Sequence, residues 1–306
     1  MSDINRAFQP NVIHHAAKWL YWNGKLYYLH HPELLRAWLK WHKPRKKFGI
    51  TEPFIIYQMS KVGSSTIVTS LKKMDLDVPL YHNHFLNDFD GIETSTRAAH
   101  ADPREALAVI ADGRRLRQEI DRTPTRRWNV VCLVRRPIAR DVSSFFQGIA
   151  SYIPDAQARY ANGTLSLSEI EQVFLEKHYH HTDEYWFDTQ VKPVFDIDVY
   201  ATPFPQAQGY AIYNSRNARM LLMRLEDMNR VAARAFQEAF GIPHMELIAA
   251  NVGAEKSYRD MYQDFQKRSH LPTPYLDSMI HTRFARHFYS DAEVAEDYGR
   301  WQRASA

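Results

Sequence analysis

Two short polar segments, Ser60-Lys61-Val62-Gly63-Ser64-Ser65-Thr66 and Val134-Arg135-Arg136-Pro137-Ile138-Ala139-Arg140-Asp141-Val142-Ser143, each follow an apolar run and each lead into a helical pattern. Short apolar runs rich in β-branched and aromatic residues read as buried strands. A strand that hands over to a helix through a few polar residues, and does so repeatedly, implies a parallel sheet with helices on both faces. The expected fold is therefore α/β, a three-layer α/β/α with a central parallel sheet of about five strands and an α-rich C-terminal part.

The remaining chain fits that frame. Residues 53–59, 79–85, 128–134, 197–200 and 218–225 read as strands. Helices are predicted over 66–74, 103–122, 137–149, 166–178, 183–195, 228–240, 256–267 and 282–301. Asp102-Pro103 has the polar cap and proline of a helix start. Ser166 with Glu169 three residues on has the pattern of a capping box. Gly241-Ile242-Pro243 reads as a helix stop.

A length of 306 residues allows one large domain with an appendage, and 45% hydrophobic with 24% charged residues is ordinary for a globular chain. No apolar stretch reaches the roughly 18–20 residues needed to span a bilayer. MSDINRAFQP lacks the basic and apolar regions of a signal peptide. The single cysteine, Cys132, lies inside an apolar run and reads as a small core residue, so a disulfide within one chain is excluded. A cytoplasmic setting is the expectation.

Charge is uneven although the net value is only +4. Lys18, Lys25, Arg36, Lys40, Lys43, Arg45, Lys46 and Lys47 stand against Glu33, among Trp19, Tyr21, Trp22, Tyr27, Tyr28, Trp38 and Trp41. Residues 1–50 thus read as a basic aromatic helical extension of an α/β domain at 51–306. Such a segment can pack its aromatics on the domain, lie on an anionic membrane surface, or hold nucleic acid. The first two are the stronger expectations, and no nucleic-acid partner is expected.

The two polar segments carry the chemistry. A loop with glycine, hydroxyls and a lysine at a strand-to-helix junction cradles an anion with backbone N–H groups and the helix N-terminus. The lysine precedes the glycine and no upstream partner glycine exists, so the pattern is not that of a standard ATP- or GTP-hydrolysing loop. Together the segments read as a site that grips a nucleotide at two phosphates.

In this order and setting the pair resembles the sulfotransferases that use 3′-phosphoadenosine-5′-phosphosulfate (PAPS). Their 5′ loop reads Pro-Lys-x-Gly-[Ser/Thr]-[Ser/Thr] and their 3′ segment Val-Arg-[Asp/Asn]-Pro-x-x-Arg-x-x-Ser. The resemblance implies that Lys61, Gly63, Ser64, Ser65 and Thr66 hold the 5′ end, and that Arg135 and Ser143 hold the 3′-phosphate, with Arg140 matching the second arginine. Ser60 replaces the usual proline and Arg136 the usual Asp or Asn. The tracts 185–200 and 223–228 are similar to the same superfamily, and a bacterial group of capsular polysaccharide synthesis proteins is the nearest in pattern. Lys256 and Tyr258 correspond to the basic C-terminal segment that closes over the nucleotide in such enzymes.

Sulfuryl transfer is in-line displacement, in which the protein positions groups and supplies positive charge. Lys61 is the expected stabiliser of the leaving group. An acceptor hydroxyl needs a base, and His82 and His84 share one face of a strand at the sheet edge where such folds place their sites. The pair is similar to the His-x-His of uronosyl 2-O-sulfotransferases, with His84 the preferred base; the plain alternative is two surface histidines. No metal is expected, His180 and His181 with Asp183 and Glu184 notwithstanding. The acceptor is expected to be a saccharide or glycan hydroxyl. The rivals are a phosphoryl transferase using ATP and Mg²⁺, and a non-catalytic scaffold in polysaccharide assembly.

Overall fold

The structure, a computed structural model, describes residues 47–89, 103–180, 182–249 and 258–302. All of them belong to the unit that begins at Lys46. The basic aromatic segment up to residue 46, His181 and Lys256 lie outside the described residues.

Five strands form one sheet: β1 (Phe54–Tyr57), β2 (Leu80–Asn83), β3 (Trp128–Val134), β4 (Tyr210–Asn214) and β5 (Ala218–Arg224), in the order β2-β1-β3-β5-β4. β1, β2, β3 and β5 run parallel, so their C-terminal ends share one edge. Every residue of β1 and β3 is buried, which requires cover on both faces. Their continuous apolar runs are what a doubly covered parallel strand demands. Cys132 sits fully buried in β3, a core residue as its setting in the sequence implies.

β4 pairs antiparallel with β5, so the sheet is mixed and the expectation of an all-parallel sheet is corrected. A tight turn at 214–217 makes the hairpin: the Ser215 N–H donates to the Ala218 carbonyl at 2.9 Å and the Ala218 N–H to Ser215 Oγ at 3.2 Å. The expected strand at 197–200 does not form. Asp196 adopts a left-handed conformation, and Asp198 accepts the Tyr200 N–H at 3.0 Å, turning the chain. Ile197 and Val199 are buried there without a strand partner, which explains their apolar signature.

The crossover helices are α1 (Ser64–Met74), α2 (Pro103–Arg122) and α3 (Pro137–Gln147). After α3 come α4 (Ile149–Tyr152), α5 (Ala156–Ala161), α6 (Leu167–Lys177) and α7 (Thr182–Trp186). A π-turn (Phe187–Val191) and α8 (Lys192–Phe195) continue α7, with Pro193 accommodated in the first turn of α8. Ser166 and Glu169 form the capping box that their spacing implies. Beyond β5 stand α9 (Met228–Phe240), α10 (Arg259–Arg268), α11 (Thr273–Ile280), α12 (Arg283–Phe288) and α13 (Asp291–Gln302). The single helix expected over 282–301 is two, because Ser290 and Glu293 form a second capping box that restarts the chain.

Two hydrophobic clusters result. One surrounds the sheet, and the other joins α3 through α6 to α10, α11 and α13, around Phe145, Phe146, Phe174 and Trp301. Each fully buried Val, Leu, Ile or Phe in them is worth about 1.5–3 kcal/mol.

Candidate functional site

The site is built on the C-terminal edge of the sheet. Beyond β1 the chain passes Lys61 and Gly63, both left-handed with φ of 69° and 89°, and enters α1 at Ser64. Gly63 caps that helix without any side-chain bond, so the first-turn N–H groups face the loop. A side chain at 63 would strain the backbone and drive a Cβ to within 2.5 Å of Leu225 Cδ1. Leu225 follows β5 directly, so glycine lets the loop seat against the end of the third parallel neighbour.

Arg135, at the end of β3, donates from Nη1 to the Lys61 carbonyl at 3.1 Å. That bond joins the two segments singled out by motif, seventy-four positions apart. Ser143 lies half-buried on the second turn of α3. Ser64 is buried, and Ser65 and Thr66 are half-buried, in the first turn of α1. Lys61, Gly63, Ser64, Ser65, Thr66 and Arg135 are thus brought together.

Arg136 and Arg140 are paired within the protein. Arg136 pairs with Glu296 at 2.7 Å, and its N–H donates to Glu226 Oε1 at 2.8 Å. Its charge is bound to α13 rather than presented to a ligand. Glu226 also accepts the Tyr289 hydroxyl at 3.1 Å, a bracing role. Arg140 is only 1% exposed and lies 3.8 Å from Asp141 inside the helical core. Tyr258 packs on the edge of that core, its ring 6.2 Å from Phe146.

His82 and His84 stand on one face of the β2 end, their rings edge-to-face with centroids 5.0 Å apart. His84 Nδ1 lies 2.7 Å from the Gln58 carbonyl. A carbonyl can only accept, so Nδ1 carries the proton and Nε2 keeps a lone pair. Burial lowers the His84 pKa, the bond to Gln58 opposes this, and the Lys61 charge lowers it further. His82 is exposed at the end of β2; partial desolvation of its ring, then His84 and Lys72, lower its pKa. Both rings are neutral at pH 7.

The loop that carries His84 is gripped from several sides. Trp186 Nε1 donates to the His84 carbonyl at 3.3 Å. Gln190, in the π-turn, accepts the Leu86 and Asn87 N–H groups at 3.1 Å each and the Tyr57 hydroxyl at 2.9 Å. Its amide donates to the Asn87 carbonyl at 2.8 Å. Gly113 admits Phe85 against α2, where a Cβ would meet the Phe85 carbonyl at 2.5 Å. A loop fixed this thoroughly presents its side chains in one geometry.

Sequence reasoning missed Gln58, Asp141, His178, Gln190 and Tyr275. Gln58 is fully buried with both side-chain amide atoms unbonded, shortly before the loop of Lys61 and Gly63. The available signals were a glutamine on the apolar face of 183–195 and an aspartate inside the second motif. His180 was read only beside His181, Asp183 and Glu184, yet its partner is Asp141 at 2.6 Å. Among the described residues no His, Cys, Asp or Glu group is arranged to hold a metal. Two surface clefts, one against Leu71 and Leu80 and one against Ile280 and Tyr298, share no residue with these loops.

Residues 161–290 match the family model described as "Putative capsular polysaccharide synthesis protein". The match takes in His178, His180, the π-turn, the β4–β5 hairpin and the helices as far as Ser290. The two polar segments at 60–66 and 134–143 precede it, so the resemblance to PAPS sulfotransferases rests on their motifs alone. No curated protein and no solved structure matches the chain. Among the described residues no helix is long and apolar enough to cross a membrane.

Proposed function

We propose that this chain transfers a sulfuryl group from PAPS to a hydroxyl of a saccharide. The observation that carries the reading is the bond from Arg135 to the Lys61 carbonyl, which brings two separate motifs together. The helix N-terminus and the left-handed loop at 61–63 suit a phosphosulfate, and Arg135 with Ser143 suits a second phosphate. The description of the matching family supports a saccharide acceptor.

PAPS supplies an activated sulfuryl group whose bridging S–O bond breaks, the electron pair leaving on the phosphate oxygen of 3′,5′-ADP. Lys61 places positive charge where that oxygen gains negative charge. The acceptor hydroxyl forms the new S–O bond and gives its proton to His84 Nε2. His82 lines the acceptor side. Lys256 joins the nucleotide side in this reading. In this reading the basic aromatic residues 1–50 bind an anionic membrane surface, and the catalytic part is cytoplasmic. Loss of vesicle binding when residues 1–47 are removed tests that placement.

A thermal-shift titration with 3′,5′-ADP, 5′-ADP, ATP and ATP·Mg²⁺ tests the core of the reading. A ligand at a hundred times its Kd stabilises the native state by about 2.7 kcal/mol. Stabilisation by 3′,5′-ADP that is lost in Arg135→Ala is the expected outcome. Response to ATP·Mg²⁺ alone replaces the reading with phosphoryl transfer, and silence from every nucleotide replaces it with a scaffold.

A further inference from the structure

Asp141 is wholly buried in α3, two residues before Ser143, in a core otherwise built of aromatic and aliphatic side chains. Its Oδ2 accepts His180 Nδ1 at 2.6 Å and the Tyr275 hydroxyl at 2.8 Å. Its Oδ1 lies 3.1 Å from His178 Nε2 and 3.8 Å from the Arg140 guanidinium. His178 Nδ1 sits 3.0 Å from the Tyr152 hydroxyl, so the ring lies between that hydroxyl and the Asp141 carboxylate. Burial pushes the carboxyl pKa up, but the bonds from His178 and His180 and the charge of Arg140 outweigh it and hold it at about 2. The group is an anion at every working pH.

Packing does not call for such a cluster. Replacing a buried ionic network by apolar residues of similar volume is often neutral or stabilising, so packing alone does not account for it. The arrangement it fixes is visible in what its members carry. α3 follows Arg135 and bears Ser143. His178 and His180 stand just before α7, whose Trp186 bonds the His84 carbonyl, and the following π-turn supplies Gln190 to Leu86 and Asn87.

We propose that Asp141 is a positioning residue: through His178 and His180 it pins the Trp186–Gln190 brace to the helix of the second anion segment, and so holds His84 in place against the first. This rests on the reading of His84 as the proton acceptor. His84 itself faces Lys61, His82, the Gln58 carbonyl and the Trp186 indole, and none of these touches Asp141. Loss of the Asp141 charge acting across space only lowers the His84 midpoint, so a rise is transmitted through the brace.

The test needs no turnover. The His84 ring is titrated by NMR in the full chain, in Asp141→Asn, and in the pair His180→Ala and His180→Asn. Asparagine places an amide N–H where His180 Nδ1 donates. In the wild type the midpoint lies below the ordinary histidine value of 6.5. Asp141→Asn and His180→Ala are expected to raise it toward 6.5 by about 0.5 pH units or more as water reaches the ring. His180→Asn is expected to leave it low. With turnover in hand, Asp141→Asn lowers kcat by about tenfold or more while 3′,5′-ADP affinity stays within about threefold. An unmoved His84 titration in the folded variants overturns the positioning role. If Asp141→Asn does not fold, the His180 pair decides by the same midpoint. A moved titration in a protein that sulfates nothing keeps the positioning role and removes only the proposed reaction.

Discussion

At the scale of single residues, the proton on His84 is decided by its partner. Gln58 offers a carbonyl, so the lone pair is left on Nε2, and burial with the nearby Lys61 charge keeps the ring neutral below pH 6.5. A base with a lowered pKa stays deprotonated as pH falls, and activity is lost only when pH drops through that lower value. The acid limb of kcat/KM is thus expected below pH 6.5, and Lys61→Met moves its midpoint up while also lowering turnover. His84→Asn keeps a donor for Gln58 and removes Nε2; turnover with a crude saccharide acceptor pool is expected to fall by about 10²–10⁴-fold, with 3′,5′-ADP binding unchanged. A fall of less than about tenfold in both His82→Ala and His84→Ala removes the histidine base. Gly63→Ala places a Cβ 2.5 Å from Leu225 at φ 89° and is expected to cost about 1–3 kcal/mol in urea denaturation. The motif residues were legible because their chemistry is local: a lysine, a glycine and hydroxyls in one loop. Asp141 was not, since its partners His178, His180 and Tyr275 lie thirty-seven or more positions away and nothing in the chain between announces them.

At the scale of elements, the same contrast between local and distant causes decides what could be read. β1, β3 and β5 declare themselves by continuous apolar runs, and the Ser166 capping box by a three-residue spacing. β4 is a half-exposed edge strand, which needs no strong apolar pattern, whereas 197–200 is apolar because it is buried in a turn. Burial and strand pairing are separate demands, and sequence shows mainly the first. In the π-turn at Phe187–Val191 one side chain, Gln190, reaches three partners. Gln190→Leu leaves the Leu86 and Asn87 N–H groups and the Tyr57 hydroxyl without an acceptor in a buried place. The expected loss is about 2–4 kcal/mol, measured by chemical denaturation, with faster amide exchange confined first to Leu86 and Asn87. Uniform exchange across α7 and the 84–87 loop in wild type and variant alike contradicts the brace.

At the scale of the whole described unit, α13 joins the two cores. Val294 packs on the sheet core and Trp301 on the helical one, and Asp297 lies between them, 4% exposed. Burial raises the Asp297 pKa from 3.8 to about 6, against the attraction of Arg136 and Arg300. The folded chain therefore keeps a proton that the unfolded chain releases near 3.8. Stability from this group declines as pH rises from about 3.8 to about 6, and the full penalty persists above that. Asp141 acts with the opposite sign: its carboxyl is held at about 2, so its contribution is complete above 3.8 and is lost as pH falls toward 2. The two windows leave the molecule most favoured near pH 4 as far as these carboxyls decide. Asp297→Asn removes the charge at the seam while keeping its shape. Urea unfolding at pH 7.5 is expected to show the variant more stable by about 1–3 kcal/mol, with no difference at pH 4. A variant no more stable than the wild type at pH 7.5 means that Arg136 and Arg300 offset the burial of the Asp297 charge in full, and that its native pKa is not raised.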